Sequence, residues 1–260
     1  MEWLWGGLIG LAVGLGVGFG VRGAWRRVRQ AQPLRTMSMR NLARGLAHEI
    51  RNPLNTLSIR LQLLEEELQA GEELSPDELL EEVRRLRAEL NRLERIVEDF
   101  HRFARLGVAE KRPVLLAPLL EELLEFVEPE AEQHGIRIEK RLQPSSPVLA
   151  DPALLRQAFL NLILNAFQAM EEKGGTLTVE LLPQGDRVEV RLRDTGPGIP
   201  PQMQERIFEP FFSTKPEGTG LGLAVVKQVV DLHDGTIQVR SQPGAGAEFR
   251  IQLPTGKASG

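Results

Sequence analysis

From Leu42 onward the apolar residues recur in steps of four and three: Leu42, Leu46, Ile50, Leu54, Leu57, Leu61, Leu64 and Leu68. That spacing is the seam of an amphipathic helix. Gly71 and Ser75-Pro76 interrupt it, and it resumes as Leu79, Val83, Leu86, Leu90, Leu93, Val97, Phe100 and Ala104, close to heptad spacing. Two such helices joined by a short loop predict an antiparallel hairpin. Each stripe is too wide to be buried by one neighbour, so two hairpins are expected to pair into a dimeric four-helix bundle.

Beyond Lys111-Arg112-Pro113 the period changes and helical and strand stretches mix. Leu119 to Val127 reads as a helix and Ile136 to Leu142 as a strand. Asp151-Pro152 is an N-cap with proline at the first helical position, opening a helix that runs to Met170. Thr176 to Leu182 and Arg187 to Arg193 alternate as paired strands around Gln184-Gly185-Asp186. After a glycine-rich stretch, Leu221 to Leu232 is a helix, and Thr236 to Arg240 with Ala247 to Leu253 completes the sheet. The expected fold class is α+β, a helical hairpin followed by a sandwich of mixed sheet with helices on one face.

The first residues follow neither period. Trp3 to Val21 carry no charge, and 19 residues at ~1.5 Å each reach roughly 28 Å, close to a bilayer's hydrocarbon thickness. Arg22, Arg26, Arg27 and Arg29 follow at once, whereas Glu2 is the one charge before the stretch. The expectation is a single transmembrane helix in the inner (plasma) membrane, contacting lipid, with the rest of the chain in the cytoplasm. Gly6, Gly10, Gly14 and Gly18 repeat every fourth residue, which puts them on one face where two such helices can approach. The predicted divisions are an anchor over 1–21, a basic linker over 22–36, a helical domain over 37–108 and an α/β domain over 113–256.

A length of 260 residues with 42% apolar and 26% charged residues suffices for two modest domains. The net charge of −4 argues against nucleic acid as a partner, and the absence of cysteine excludes disulfides, thiolate metal sites and thiol nucleophiles.

Of four histidines, His48 has the most chemically suggestive neighbours, Glu49 and Asn52. It lies two residues from Leu46 and two from Ile50, about 200° around the helix from each, and so projects off the apolar seam. Glu49 could accept the Nδ1 proton and leave Nε2 as a nucleophile, while Asn52, one turn on, could hold a water in line with a phosphoryl group. Pro53 removes an N–H from the same turn. His101, His134 and His233 read as surface, helix-end and turn residues. Further along, Asn161 and Asn165 stand one turn apart, suited to a hard cation that bridges phosphates. Asp194 precedes the Gly196 and Gly198 turn, placed to accept from an exocyclic amine. Gly218, Gly220 and Gly222, with Thr219 and Leu221 between them, lead into a helix whose N-terminus favours anionic phosphate, and Lys215 adds a cation.

In order and spacing these segments resemble the sensor histidine kinases of two-component systems, and within them the nitrogen-regulator-kinase-like subgroup. His48-Glu49-Ile50-Arg51-Asn52-Pro53 is similar to the H box, Asn161 to Ala166 to the N box, and Asp194 to Ile199 to the first glycine box. Phe208 to Lys215 is similar to the F box and Gly218 to Leu223 to the second glycine box; the resemblance covers roughly 37 to 255. It implies a Bergerat-type ATP-binding domain, autophosphorylation of His48 from ATP with Mg2+, and transfer to an aspartate on a response regulator's receiver domain. Asn165 would ligate the metal, Asp194 would read adenine, and 208 to 220 would form a lid over the phosphates. In the hydrolytic relatives, gyrase among them, the position of Asn161 is an acid that activates water; an amide cannot take that proton. Gln168 stands where many kinases carry a basic residue, and Asp234-Gly235 replaces the commoner Gly-Gly. A Bergerat-type ATPase or chaperone, a serine kinase of the anti-sigma-factor type and a membrane scaffold that binds ATP without phosphotransfer are the alternatives.

Overall fold

The computed structural model describes residues 39–70, 75–104, 109–215 and 218–256. The stretch expected to be the membrane anchor, its glycine face and the arginines after it lie outside the described residues. Among those described, no helix is long and apolar enough to cross a membrane. The chain divides into two compact units, 1–47 and 48–260. Of the first, the described part is the opening of helix α1.

Helix α1 runs Met39–Gln69 and α2 runs Pro76–Ala104. Ser75 starts α2 with a reciprocal capping box: its hydroxyl accepts from the Glu78 N–H, and the Glu78 carboxylate accepts from the Ser75 N–H and hydroxyl. Those bonds hold the Glu78 pKa below the ordinary carboxylate value. Arg60 joins the two helices through bonds of 3.0 and 3.2 Å to the two oxygens of Glu82. Pro53 is accommodated inside α1, where it is buried, as is Leu57 one turn later. Leu54, Ile59, Leu61, Leu63, Leu68, Leu79, Leu80, Val83, Leu90 and Val97 remain exposed.

The remainder is built on a five-stranded sheet in the order β2-β4-β5-β7-β6. β2 (Ile136–Leu142) pairs parallel with β4 (Gly175–Gln184), and β5 (Arg187–Arg193), β7 (Ala247–Pro254) and β6 (Thr236–Ser241) follow antiparallel. The short strands β1 (Arg112–Val114) and β3 (Val148–Ala150) pair with each other. Helices α3 (Leu116–Gln133), α4 (Pro152–Met170) and α5 (Gly222–Leu232) share one core with Leu177, Val179 and Leu181 of β4 and Val188, Val190 and Leu192 of β5. The alternate residues on these strands, such as Glu180 and Arg191, form the polar face, as period-two alternation dictates. The α+β architecture therefore agrees with the sequence expectation, with β1 and β3 added and α3 longer than predicted.

Asp151 Oδ1 caps α4 through the N–H groups of Ala153 and Leu154, and Oδ2 accepts from Glu110 N–H at 3.1 Å. Its own N–H donates to Nε2 of His233 at 2.9 Å, and His233 Nδ1 lies 2.7 Å from the carbonyl of Val229. His233 is thus a buried strut between α4 and the end of α5. Burial, seconded by the Lys111 charge, holds its pKa below the ordinary 6.5, against the Val229 bond and Asp151 and Asp234. The folded chain keeps this imidazole neutral while the unfolded chain takes up a proton below about pH 6.5. Stability that is full above that pH should be lost as the pH falls, at up to ~1.4 kcal/mol per pH unit. Chemical unfolding of wild type and His233→Asn between pH 8 and pH 5 checks this; equal pH slopes for the two would refute it.

Candidate functional site

His48 faces solvent, with its side chain 70% exposed, as its angular position off the seam predicts. Nδ1 lies 3.4 Å from the Asn52 amide nitrogen and 3.8 Å from Glu49 Oε1. The carboxylate expected to take the Nδ1 proton therefore stands at ion-pair distance, beyond hydrogen-bond reach, and Asn52 is the closer polar group. Nε2 has no protein partner among the described residues.

The second cluster lies along α4, the turn after β5, and the loop that opens α5. The Asn161 amide nitrogen donates to the carbonyl of Gly222 at 3.2 Å, fixing the N-box helix against the start of α5. Asn165, one turn further, is half-buried and makes no side-chain hydrogen bond among the described residues. Asp194 is buried at the end of β5, where Oδ1 accepts from the N–H groups of Gly196 and Ala247 at 2.9 and 3.2 Å. Burial raises its pKa above the ordinary carboxylate value, opposed by those N–H groups and by the charge of Lys215. Oδ1 is thus committed to the backbone, and among the described residues the second oxygen has no hydrogen bond from another residue. Gly198 closes the turn that Gly196 begins, with its left-handed φ of 75°.

Lys215 reaches across to α4, and its ammonium donates to Gln168 Oε1 at 3.0 Å. Packing around it lowers its pKa, opposed by Glu171 and Asp194. Gln168, at the position where many kinases carry a basic residue, thus accepts from a lysine brought in from the loop. Gly218 bonds back to the Lys215 carbonyl at 3.2 Å. At Gly220, φ is 65° and a Cβ would meet the Phe211 backbone at 2.5 Å, so glycine is required there by the close chain crossing. At Gly222, by contrast, a Cβ would meet nothing within 4 Å. The space beside this residue is open to a ligand.

Helix α5 begins at Gly222 with no side-chain cap, and its first hydrogen bond is from Val225 N–H to the Leu221 carbonyl. The N–H groups ahead of Val225 stand at the positive end of the helix, next to that open space, which suits an anionic group. Leu221 itself is 0% exposed and its N–H donates to the Thr219 hydroxyl at 3.4 Å, so it shapes the loop from within. Thr219 bonds to Asp99 of α2, a contact that sequence spacing gave no means of finding. A polyphosphate at the α5 N-terminus, a base whose amine meets the free oxygen of Asp194, and a cation on Asn165 match the donors and acceptors present.

Comparison with known proteins gives this arrangement a family. Residues 150–257 match the histidine kinase-, DNA gyrase B- and HSP90-like ATPase family, and residues 38–108 match the His Kinase A (phospho-acceptor) domain. The sensor histidine kinase ZraS of Salmonella typhi is 38% identical over 226 residues, 84% of this chain and 46% of that protein. The sensory histidine kinase/phosphatase NtrB of Escherichia coli O157:H7 is 34% identical over 247 residues, covering 88% of this chain and 66% of NtrB. The chain thus spans about half the length of ZraS and about two thirds of NtrB. The crystal structure of histidine kinase ThkA in complex with response regulator TrrA superposes with a TM-score of 0.68 at 26% identity, covering 89% of this chain and 66% of that one. By both domains and by these relatives, the chain belongs to the two-component sensor histidine kinases of the NtrB-like type.

Proposed function

We propose that this chain is an ATP-dependent protein-histidine kinase that phosphorylates its own His48 and passes the phosphoryl group to an aspartate of a response regulator. The observation that carries the reading is the exposed His48 imidazole, with the Glu49 carboxylate 3.8 Å from Nδ1 and no protein partner on Nε2 among the described residues. The Nε2 lone pair attacks the γ-phosphorus, the bond to the bridging oxygen breaks, and ADP leaves with that electron pair. Attack needs the tautomer with the proton on Nδ1, turned from the Asn52 amide nitrogen toward Glu49, whose carboxylate closes in from 3.8 Å to take that proton as the ring acquires positive charge. Asn161, an amide bonded to Gly222, has no lone pair basic enough to activate water, which favours transfer over hydrolysis.

Asp194 reads the adenine amine. The N–H groups of Thr219, Gly220 and Gly222, with Lys215, meet the phosphates in a loop held in shape by Gly218 and Leu221, and Gly196 and Gly198 shape the turn beneath the base. Asn165 would hold Mg2+, which would supply charge neutralisation at the phosphates. The exposed leucines of α1 and α2 are buried by a second copy in a four-helix dimer. The uncharged stretch 3–21 anchors the chain in the membrane with the catalytic part in the cytoplasm, and the domain limits are those given above.

Incubated with Mg-ATP, the purified chain should acquire a phosphoryl label that survives base and is lost in acid, and should pass it to a receiver domain. Steady phosphate release with no labelled protein would instead favour the ATPase reading. Phosphatase activity toward the regulator is also part of the proposal, supported by Asn52 beside Nδ1 and by the name of NtrB. Asn52→Ala should slow regulator dephosphorylation by about 10- to 100-fold while His48 labelling persists. A variant that clears the phosphoregulator at the normal rate removes this part.

A further inference from the structure

Ile96, Asp99 and Phe103 fall at i, i+3 and i+7 on α2 and so share one stripe of the helix. Ile96 is the buried residue of this helix, at 2% exposure, and Phe103 packs against the core of the ATP-binding domain. Between them the Asp99 carboxylate accepts a 2.7 Å hydrogen bond from the hydroxyl of Thr219, in the middle of the 218–222 glycine loop. That hydroxyl also accepts, at 3.4 Å, from the Leu221 N–H, so the carboxylate is tied to the backbone that opens α5. Arg102, which bonds Glu98 at 3.1 Å, stands 4.0 Å from the other oxygen of Asp99.

The height of this contact on the hairpin can be counted. The Arg60–Glu82 pair sets residue 60 level with residue 82, so His48 falls level with about residue 94, and Asp99 lies roughly 7 Å further along the axis. The glycine loop is therefore held near the level of the phosphoacceptor by a residue whose negative charge faces the place where several more would bind.

We propose that Asp99 and Thr219 form a nucleotide-sensitive latch between the second helix of the hairpin and the ATP-binding domain. Polyphosphate in the glycine loop and the Asp99 carboxylate repel each other, so nucleotide binding loosens the latch. By reciprocity the latch weakens nucleotide binding by the same factor. A carboxylate some 10 Å from a polyphosphate, partly screened by salt, sets that factor at roughly two- to five-fold. The inference rests on the assignment of 218–222 to the phosphates.

The cysteine-free sequence permits a direct test on the full chain. Spin labels on Glu94→Cys of α2 and Glu128→Cys of α3 report the distance between the helix and the ATP-binding domain, and calorimetry with ADP and a non-hydrolysable ATP analogue reports affinity. Nucleotide should broaden or shift the distance distribution of the wild type, and Asp99→Ala should show the released distribution without nucleotide. Asp99→Asn, which keeps an acceptor and removes the charge, should bind nucleotide about two- to five-fold more tightly at low salt, the gain shrinking at high salt. Thr219→Ser keeps the hydroxyl and should retain the closed distance distribution. Wild-type affinity in both Asp99 variants, or a distance distribution that nucleotide and Asp99→Ala leave unchanged, overturns the latch. Absence of nucleotide binding by the wild type would count against the loop assignment itself.

Discussion

His48→Gln should reduce acid-labile phosphoryl labelling from radioactive ATP to background, a loss of at least ~10³-fold, while nucleotide affinity stays within about two-fold of wild type. Glutamine has a similar reach and polarity, yet its amide nitrogen has no available lone pair, so the substitution removes the nucleophile and little else. The site is exposed, with the imidazole 70% accessible, so loss of packing cannot account for a loss of labelling. Stability should change by no more than about 0.5 kcal/mol, as for other exposed positions away from the core. Quantifying the acid-labile label together with calorimetric ADP binding separates the two effects. Labelling of the variant at the wild-type level would place the phosphoacceptor elsewhere and end the mechanism.

Asp194→Asn should act in two opposite directions. The buried carboxylate is costly in its charged form, because burial raises its pKa above the ordinary value. A carboxylic acid whose folded pKa is raised favours the fold when protonated, at low pH. That contribution is lost as the pH climbs from the ordinary 3.8 through the raised value. Near neutrality the group is therefore a liability, and an amide of the same shape can keep the bonds from Gly196 and Ala247 with its oxygen. The expected outcome is a melting temperature higher by ~2–4 °C, corresponding to on the order of 1 kcal/mol. Nucleotide affinity should fall by two orders of magnitude or more, because the amide nitrogen now presents a donor to the adenine amine. Thermal melts and ADP titrations on the same preparation check both; a variant that binds ADP like the wild type would remove Asp194 as the base-reading residue.

Much of this arrangement is written in local pattern. Asp151-Pro152 marks the start of α4 because cap chemistry is local, and the predicted end at Met170 is the observed one. β2 and β5 were bounded by turn residues and appear at the predicted limits. β1 and β3, three residues each, are too short for a period of two to register, and they exist through pairing with each other. The predicted Leu119 to Val127 helix extends to Leu116–Gln133: no capping side chain marks its start, Pro129 sits inside it, and the stop comes at the left-handed Gly135 just past His134. In the site, the exposure of His48 followed from counting angles around a helix. The distance between Nδ1 and Glu49 did not, because side-chain rotamers are settled by neighbours rather than by spacing. His233, read as a turn residue, proved to be a buried strut because its partner at Asp151 lies 82 positions away. Asp99 was silent for the same reason, with 120 residues separating it from Thr219.

The Asp151 carboxylate has a mechanical consequence. One oxygen holds the first turn of α4 and the other holds the backbone at Glu110, where the chain leaves the hairpin for the sheet. Lys111 next to it grips Asp234 at the far end of α5 with a 2.9 Å ion pair. A pull or twist that reaches Glu110 therefore finds the chain already fastened at both places. The load passes directly to the two helices that frame the nucleotide, α4 with Asn161 and Asn165 and α5 with Gly222, and the sheet behind them serves as the fixed frame against which they bear.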